Sequence, residues 1–518
     1  MRPSGLPRRV LMRVPMRVPM RVPMRVLMRV LMLMVALGSV GAVSLGAQGI
    51  RITGASTSRF VQLRPMLTDS VPESAASTTD GLDRLLQDGT LARCSGDGFC
   101  RYFRAAPPTQ LMALMQDVDA TAWGFGRGVS ARAELRFREA FGGGRSLWPQ
   151  AQQQLDVLAA YVDVDRERVR ARLGRQWFGS ELGFRNFDGV LVEAQPLAAL
   201  ASVRVEAYAG RSLLQGLARD LTSDALATIE ELPPDSRGIL LGGALRWRPA
   251  GGLGAVRAQY EREIRQDRAG LYSERASAAA TLRVGRARLS SEVVYDFAAG
   301  VFNEARLRAR HPIGHGMDIS AEGRHSAPFF PLWTIWGTFS PVGFDEGLVD
   351  TRWTSPGARL TVSGRGAYRR YQETDAGVAS LPLRTDGWRL GGSVAARLSD
   401  AWLAQGGYGV DVGSTASRSD ADVMLRWLRG ERFSLAARAA AFETISEWRV
   451  GTGRVLGAGA DVSIAIRPDL RFAADAMLYR QRTAGRTLEG PWNQRRATVR
   501  LEWSIGSDPG ASARDGAR

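Results

Sequence analysis

Side chains that could do chemistry are sparse in this chain of 518 residues. It has three histidines, His311, His315 and His325, and two cysteines, Cys94 and Cys100. His311 and His315 have the i, i+4 spacing of a helical metal pair. Pro312, Ile313, Gly314 and Gly316 around them instead spell a turn between strands. No serine nucleophile stands in a recognisable motif, and no glycine cluster sits between a strand and a helix as a phosphate loop requires. The expectation is therefore no catalytic residue, no metal site and no cofactor. The cysteines flank Ser-Gly-Asp-Gly-Phe with no histidine nearby, which suggests a short structural disulfide formed in an oxidising compartment.

Patterned charge is the more informative signal. Arg132, Glu134 and Arg136 alternate with Ala131, Ala133, Leu135 and Phe137, and Arg168, Arg170 and Arg172 alternate with Val169, Ala171 and Leu173. The same holds for Arg204 and Glu206, for Arg306, Arg308 and Arg310, and for Arg500 and Glu502. Successive side chains of a strand point to opposite faces, so each segment has one apolar and one charged face. If the apolar face meets lipid, these charges line a lumen, because an arginine at the lipid midplane costs roughly 2–4 kcal/mol. Cations in a lumen attract anions. The plainer role is pairing with interspersed acids across strands, which braces the wall.

The net charge of +17 does not turn this into a nucleic-acid reading. The chain has no lysine, so every basic residue is arginine, which resembles a coding bias more than a selected phosphate-binding surface. Residues 1–47 hold eight arginines and no acid, and removing them leaves +9. Those residues read as a signal peptide, with an arginine-rich start, an apolar stretch from Val30 to Leu45 and a cleavage site around Gly46-Ala47. The apolar stretch falls short of the roughly 20 residues that span a bilayer as a helix. The Val-Pro-Met-Arg repeats from Val14 to Met24 cannot be helix interior, and initiation at Met28 would still leave a short signal.

The elements that must position the charges are strands. About 20 segments, within 18–22, run from Ser130 to Gly506, each around ten residues long, as a tilted membrane-crossing strand requires. Long connections (Ser212–Ser236, Ser326–Glu346, Gln372–Gly387, Thr483–Gln494) alternate with short ones (Pro312–Gly316, Ser399–Ala401, Arg429–Glu431, Pro468–Asp469). That alternation is the mark of an outer-membrane barrel, and an even strand number leaves both termini in the periplasm. The expected fold is all-β, a transmembrane antiparallel up-and-down barrel over residues 129–506. An accessory or plug region with the disulfide would precede it at 48–128, and a disordered tail would follow at 507–518. Trp123, Trp177, Phe178, Trp333, Trp336, Trp427, Trp448, Trp492 and Trp503 are candidates for the aromatic girdles of such a barrel. The apolar run from Pro328 to Trp336 suits either a constriction folded into the lumen or a surface packed on a partner.

The stretch Arg170-Ala-Arg-Leu-Gly-Arg-Gln176, followed by Gly183-Phe-Arg-Asn-Phe-Asp-Gly189, resembles a strand–loop–strand pattern of outer-membrane porins, including alginate-export-like and other substrate-specific porins. The resemblance implies passive passage of a small solute and transfers no catalytic residue. The final strand departs from a common porin pattern, since a tail follows Ile505. The primary expectation is a porin-like, non-enzymatic channel for small solutes, anionic ones included, inserted in outer-membrane lipid by the barrel assembly machinery. A sheath around a periplasmic multihaem cytochrome is the alternative reading. An outer-membrane hydrolase is a third, and would need a histidine and an acid converging beside a serine.

Overall fold

In a computed structural model the described residues are 49–506, leaving aside 65, 79–82, 88–90, 95, 97, 144–154, 197–201, 214–237, 250, 266–269, 328–342, 373–384, 414–415, 448–451 and 485–491. The expected signal peptide at 1–47, the expected tail at 507–518, the Pro328–Trp336 run and Trp448 lie outside them.

Apart from turns and two three-residue 3-10 segments, Glu73–Ala75 and Pro356–Ala358, the described chain is strand, in two sheets. The first barrel strand is β1 (Gly49–Leu63). A small sheet follows, made of β2 (Met66–Pro72), β3 (Ala76–Thr78), β4 (Asp83–Leu86), β5 (Leu91–Cys94) and β6 (Phe99–Ala105). The barrel resumes with β7 (Thr109–Trp123), β8 (Val129–Phe141), β9 (Leu155–Asp165), β10 (Val169–Ser180), β11 (Gly183–Ala194) and β12 (Val203–Ser212). It continues through β13 (Gly238–Trp247), β14 (Gly254–Arg265), β15 (Leu271–Val284), β16 (Ala287–Asp296), β17 (Val301–Gly314) and β18 (Met317–Ser326). Then come β19 (Phe344–Thr354), β20 (Leu360–Tyr371), β21 (Asp386–Arg397), β22 (Trp402–Val412) and β23 (Ala416–Arg429). The last four are β24 (Phe433–Glu447), β25 (Thr452–Arg467), β26 (Leu470–Ala484) and β27 (Trp492–Gly506).

Each barrel strand pairs antiparallel with its neighbours in sequence, and β1 closes the ring by pairing with both β27 and β7, giving 22 strands. Closure leaves no unpaired sheet edge, which is the condition for a sheet to sit in hydrocarbon. The strand count falls at the top of the expected 18–22.

The connections sort by end. At the end holding Gly49 and Gly506, the chain turns through tight links such as Gly285–Arg286, His315–Gly316 and Pro468–Asp469. The opposite end carries the long links, between β12 and β13, β18 and β19, and β20 and β21. All the long and short connections read from the sequence fall on their respective ends.

The outward face is the apolar one. Leu241, Leu245, Val256, Leu307, Val349, Val394, Val423 and Leu478 are exposed along it. Tyr260, Tyr295, Phe297 and Phe302 cluster towards the long-loop end, and Trp402 and Trp427 lie side by side near the short-turn end. An apolar band with aromatic rings at both margins is what a transmembrane barrel presents to lipid. The architecture is that of a barrel of the bacterial outer membrane. Trp427 and Trp503 are outward, whereas Trp177 lies on a hairpin tip that leaves the wall and the register turns Trp123, Phe178 and Trp492 to the inside, so only part of the expected girdle is one.

The barrel extends further towards the N-terminus than the alternation suggested. β1 and β7 are full wall strands, so it begins at Gly49 instead of residue 129. The accessory piece is an insertion between them, spanning 66–105, at the long-loop end. The period of two fades in β7 because Leu111 and Ala113, on its inward face, are themselves apolar and buried against Leu63 and Ala140. The insertion is held by the disulfide between Cys94 and Cys100, directly opposite each other on β5 and β6 with Cα atoms 3.9 Å apart. Ala92 and both cysteines form its small core. On its surface Asp69 accepts from the Ser70 backbone N–H at 2.9 Å and from Arg104 at 2.6 Å, which holds its carboxyl below the usual carboxylate range.

Candidate functional site: the lumen wall

Directly opposed residues in neighbouring strands share a face. Following the register around the ring places Arg132, Glu134, Arg136, Arg170, Arg172, Arg204, Glu206, Arg306, Arg308, Arg310, Arg500 and Glu502 on one common face, opposite the apolar band. Arg168 is the exception. It sits in the short-turn link between β9 and β10, outside any strand, because Glu167 and Arg168 form the bend.

Most of these charges are tied to one another. Arg132 donates to Asp119 at 3.0 Å, Arg136 to Asp117 at 2.6 Å and Arg170 to Asp163 at 3.0 Å. Arg172 shares Asp163 at 3.3 Å and lies over the Tyr161 ring at 4.3 Å. Arg306 pairs with Glu292, Arg310 with Asp318 at 3.1 Å and Arg500 with Glu502 at 2.9 Å. Pairs of this kind contribute little each, but they keep the inner face charged without leaving it a uniform cationic field.

Two sectors of the wall depart from this even bracing. In the first, the tip of the β10–β11 hairpin folds across the inside. Pairing of β10 with β9 stops at Arg175, and pairing of β11 with β12 stops at Phe187, while β10 and β11 stay paired to Ser180 and Gly183. The tip is thus free of both neighbours and can bend. Gly174 supplies a residue at φ 129°, a conformation L side chains avoid, and a Cβ there would meet the Ala160 carbonyl at 2.2 Å.

The contacts of the tip show where it goes. Gln259 of β14 donates to Ser180 Oγ at 3.2 Å, Glu181 pairs with Arg257 at 2.9 Å, and Arg275 of β15 donates to the Leu182 carbonyl at 2.5 Å. Along the wall β10 and β14 are four strands apart, roughly 19 Å at the usual spacing. Direct contact requires the tip to cross over β12 and β13 on the inside. Beneath it Phe187, Leu191, Tyr208 and Leu240 form an apolar cluster with Phe178. Beside them Glu261, 1% exposed, accepts from Arg185 at 2.6 Å and from the Tyr208 hydroxyl at 3.1 Å, with Arg275 at 3.7 Å. Tyr208 lies flat because Gly242 opposite it has no Cβ, which would come within 2.2 Å of the ring.

In the second sector, β17 to β23, nothing described covers the wall. One register row runs Arg310, Ser320, Asp350, Arg365, Gly391, Gly409, Asp420, and the next runs Arg352, Ser363, Ser393, Gly407, Asp422. Glycines and serines make a bare floor between arginines and acids, and the recess above it has a volume of about 710 Å³. Asp350 takes Arg365 at 2.6 Å and Arg308 at 3.4 Å, and the two serine hydroxyls share a 2.6 Å bond. Asp420 and Asp422 stand exposed over Gly409 and Gly407 with no ion pair among the described residues.

The histidines make no site on this face. His311 is on β17, His315 is in the following turn, and His325 Nδ1 lies 2.8 Å from Asp345 Oδ1 on the outward face. Among the described residues no group of three or more potential metal ligands occurs. The inward hairpin was not anticipated from sequence. Its signals are the short link Glu181–Leu182 at the long-loop end and Leu182 itself, an apolar residue at a turn tip.

No protein-family model matches the sequence, and no curated protein does. Solved structures align with most of the chain at low identity. A crystal structure of OccAB4 from Acinetobacter baumannii is 6% identical, covering 90% of this chain and 100% of that one with a TM-score of 0.36. A BenF-like porin from Pseudomonas fluorescens Pf-5 is 10% identical over 88% of this chain and 99% of its own, with a TM-score of 0.38. A mutant of the ferric enterobactin receptor PfeA from Pseudomonas aeruginosa is 9% identical over 88% and 80%, with a TM-score of 0.48.

Proposed function

We propose that the protein is a passive, porin-like channel that lets small polar solutes cross the outer membrane, with both termini on the periplasmic side. The observation that carries the reading is the polar inward face of most of the 22-strand ring, on which charged side chains such as Arg365 and Asp420 stay exposed. Exposure on that face means water-filled space beside the wall. The folded-in hairpin narrows that space on one side, and the charged rows of β17 to β23 line it on the other. A passing ion exchanges hydration for these side chains one row at a time, so selectivity follows the local balance of arginine and acid. Of three directly opposed inward arginines, Arg246 and Arg257 pair with Glu206 and Glu181, and the exposed Arg204, with no ion pair among the described residues, gives a mild preference for anions.

Single-channel conductance in a planar bilayer, with reversal potentials in a salt gradient, tests this. Steady openings whose reversal potential favours anions are expected. Correctly folded, heat-modifiable protein that leaves the bilayer silent overturns the channel, and openings with cation preference overturn the selectivity.

A further inference from the structure

The outward face carries a cationic patch that the channel reading does not use. At the long-loop end of β25, β26 and β27 it presents Arg454, Arg480, Arg482 and Arg495, all exposed, with Glu443 of β24 opposite Arg454 as the acid beside them. The register makes them one cluster. Arg454 is directly opposite Arg482, Arg480 lies two residues from Arg482 on the same face, and Arg495 is diagonal to Arg480 through the Leu478 pairing. Opposed and diagonal partners on a strand face lie within about 5–8 Å, so the four guanidiniums can converge on one group. Among the described residues none of the four has an ion-pair partner.

Two arginines directly opposed on a sheet repel, and the cost grows where water is scarce. On other strands of the same rim outward charges meet opposite partners: Arg175 holds Asp188 at 2.7 Å, and His325 holds Asp345 at 2.8 Å. The patch also sits at the margin of the apolar band, one step beyond Leu456, Leu478 and Ala497 on the same face. That is the depth of lipid headgroups. Guanidiniums recognise phosphate through paired N–H donors, and several together favour more than one phosphate. We infer that these four arginines form a docking site for a lipid with a diphosphorylated headgroup in the leaflet at the long-loop end. The site is formed by the barrel wall alone and stands whether or not the lumen conducts.

Native mass spectrometry of the detergent-purified full chain, titrated with lipid A as a diphosphoryl probe and with phosphatidylcholine as a neutral one, tests it. The wild type is expected to hold lipid A at least about ten-fold more tightly than phosphatidylcholine, weakening as NaCl rises. The variant R454Q/R480Q/R482Q/R495Q is expected to lose that preference while its heat-modifiable mobility is kept, and the all-lysine variant to retain part of it. Equal lipid A binding by wild type and glutamine variant overturns the proposal, as does equal binding of the two lipids. Inorganic phosphate that displaces lipid A as well as lipid A itself does would show that the lipid tether plays no part. Should the glutamine variant fail to fold, the salt series and the phosphate competition on the wild type decide.

Discussion

The hairpin sector around β10 to β15 and the recess sector around β17 to β23 start from the same alternation of apolar and charged residues and end with opposite characters. In the first, inward polar groups are buried: Glu261, Glu263 and Arg275 are each no more than 5% exposed, because a hairpin tip lies over them. In the second, Asp420, Asp422, Arg352 and Arg365 face open space over a floor of glycine and serine. The difference teaches that strand periodicity assigns a residue to the lumen but not to water. Whether an inward charge is a structural tie or a surface that a solute can touch depends on what folds over it.

The contrast should break most sharply at Glu261. Removing this carboxylate in Glu261→Ala takes the ion-pair partner of the buried Arg185 and one acceptor from the Tyr208 hydroxyl. Leaving buried charges uncompensated costs about 3–5 kcal/mol. A lower temperature for loss of the compact electrophoretic form is expected, with larger or noisier conductance as the hairpin leaves the wall. Unchanged stability and conductance would show that the tip is not held by this knot.

Gly174→Val attacks the bend instead of the knot. Forcing a β-branched residue to a φ of 129° against the Ala160 carbonyl costs on the order of 1–3 kcal/mol. Limited proteolysis should then cut between Ser180 and Gly183 while the rest of the barrel stays resistant.

Cys94→Ser with Cys100→Ser tests a region outside both sectors. Loss of a short loop constraint costs the small sheet about 2 kcal/mol. Proteolysis within 66–105 should increase with conductance unchanged, since the 22-strand ring does not include the insertion.

The smallest effect on stability is expected in the recess, from D420N/D422N. These carboxylates have no ion pair among the described residues, so the change should stay within about 0.5 kcal/mol. The reversal potential should nonetheless move further towards anions. A stability loss as large as that of Glu261→Ala would erase the distinction between the sectors.

How much of this was legible beforehand varies residue by residue. Val203 to Ala209 show their two faces directly, and the register keeps Arg204 and Glu206 together on the face opposite the apolar one. β7 was not legible, because Leu111 and Ala113 are apolar on the inward face and mimic a run without a period. Arg168 was misplaced by continuing a strand pattern one residue into a bend. The stretch from Arg170 to Gly189 stood out as porin-like, yet nothing in its residue types announced that its tip turns inward.

By itself the amino-acid sequence determined the class of the protein: an alternation of two, strands long enough to cross hydrocarbon, and links that are long at one end and short at the other. These are local properties, set by which side chains can face lipid and which residues can turn a chain. Only the tertiary structure decided where the barrel begins, which arginines are tied and which acids are left exposed. It alone decided that a hairpin covers one wall and that Arg454, Arg480, Arg482 and Arg495 meet on the outside. Those outcomes depend on strand register and ring closure, which bring together residues far apart in the chain and leave no trace in the periodicity of any one segment.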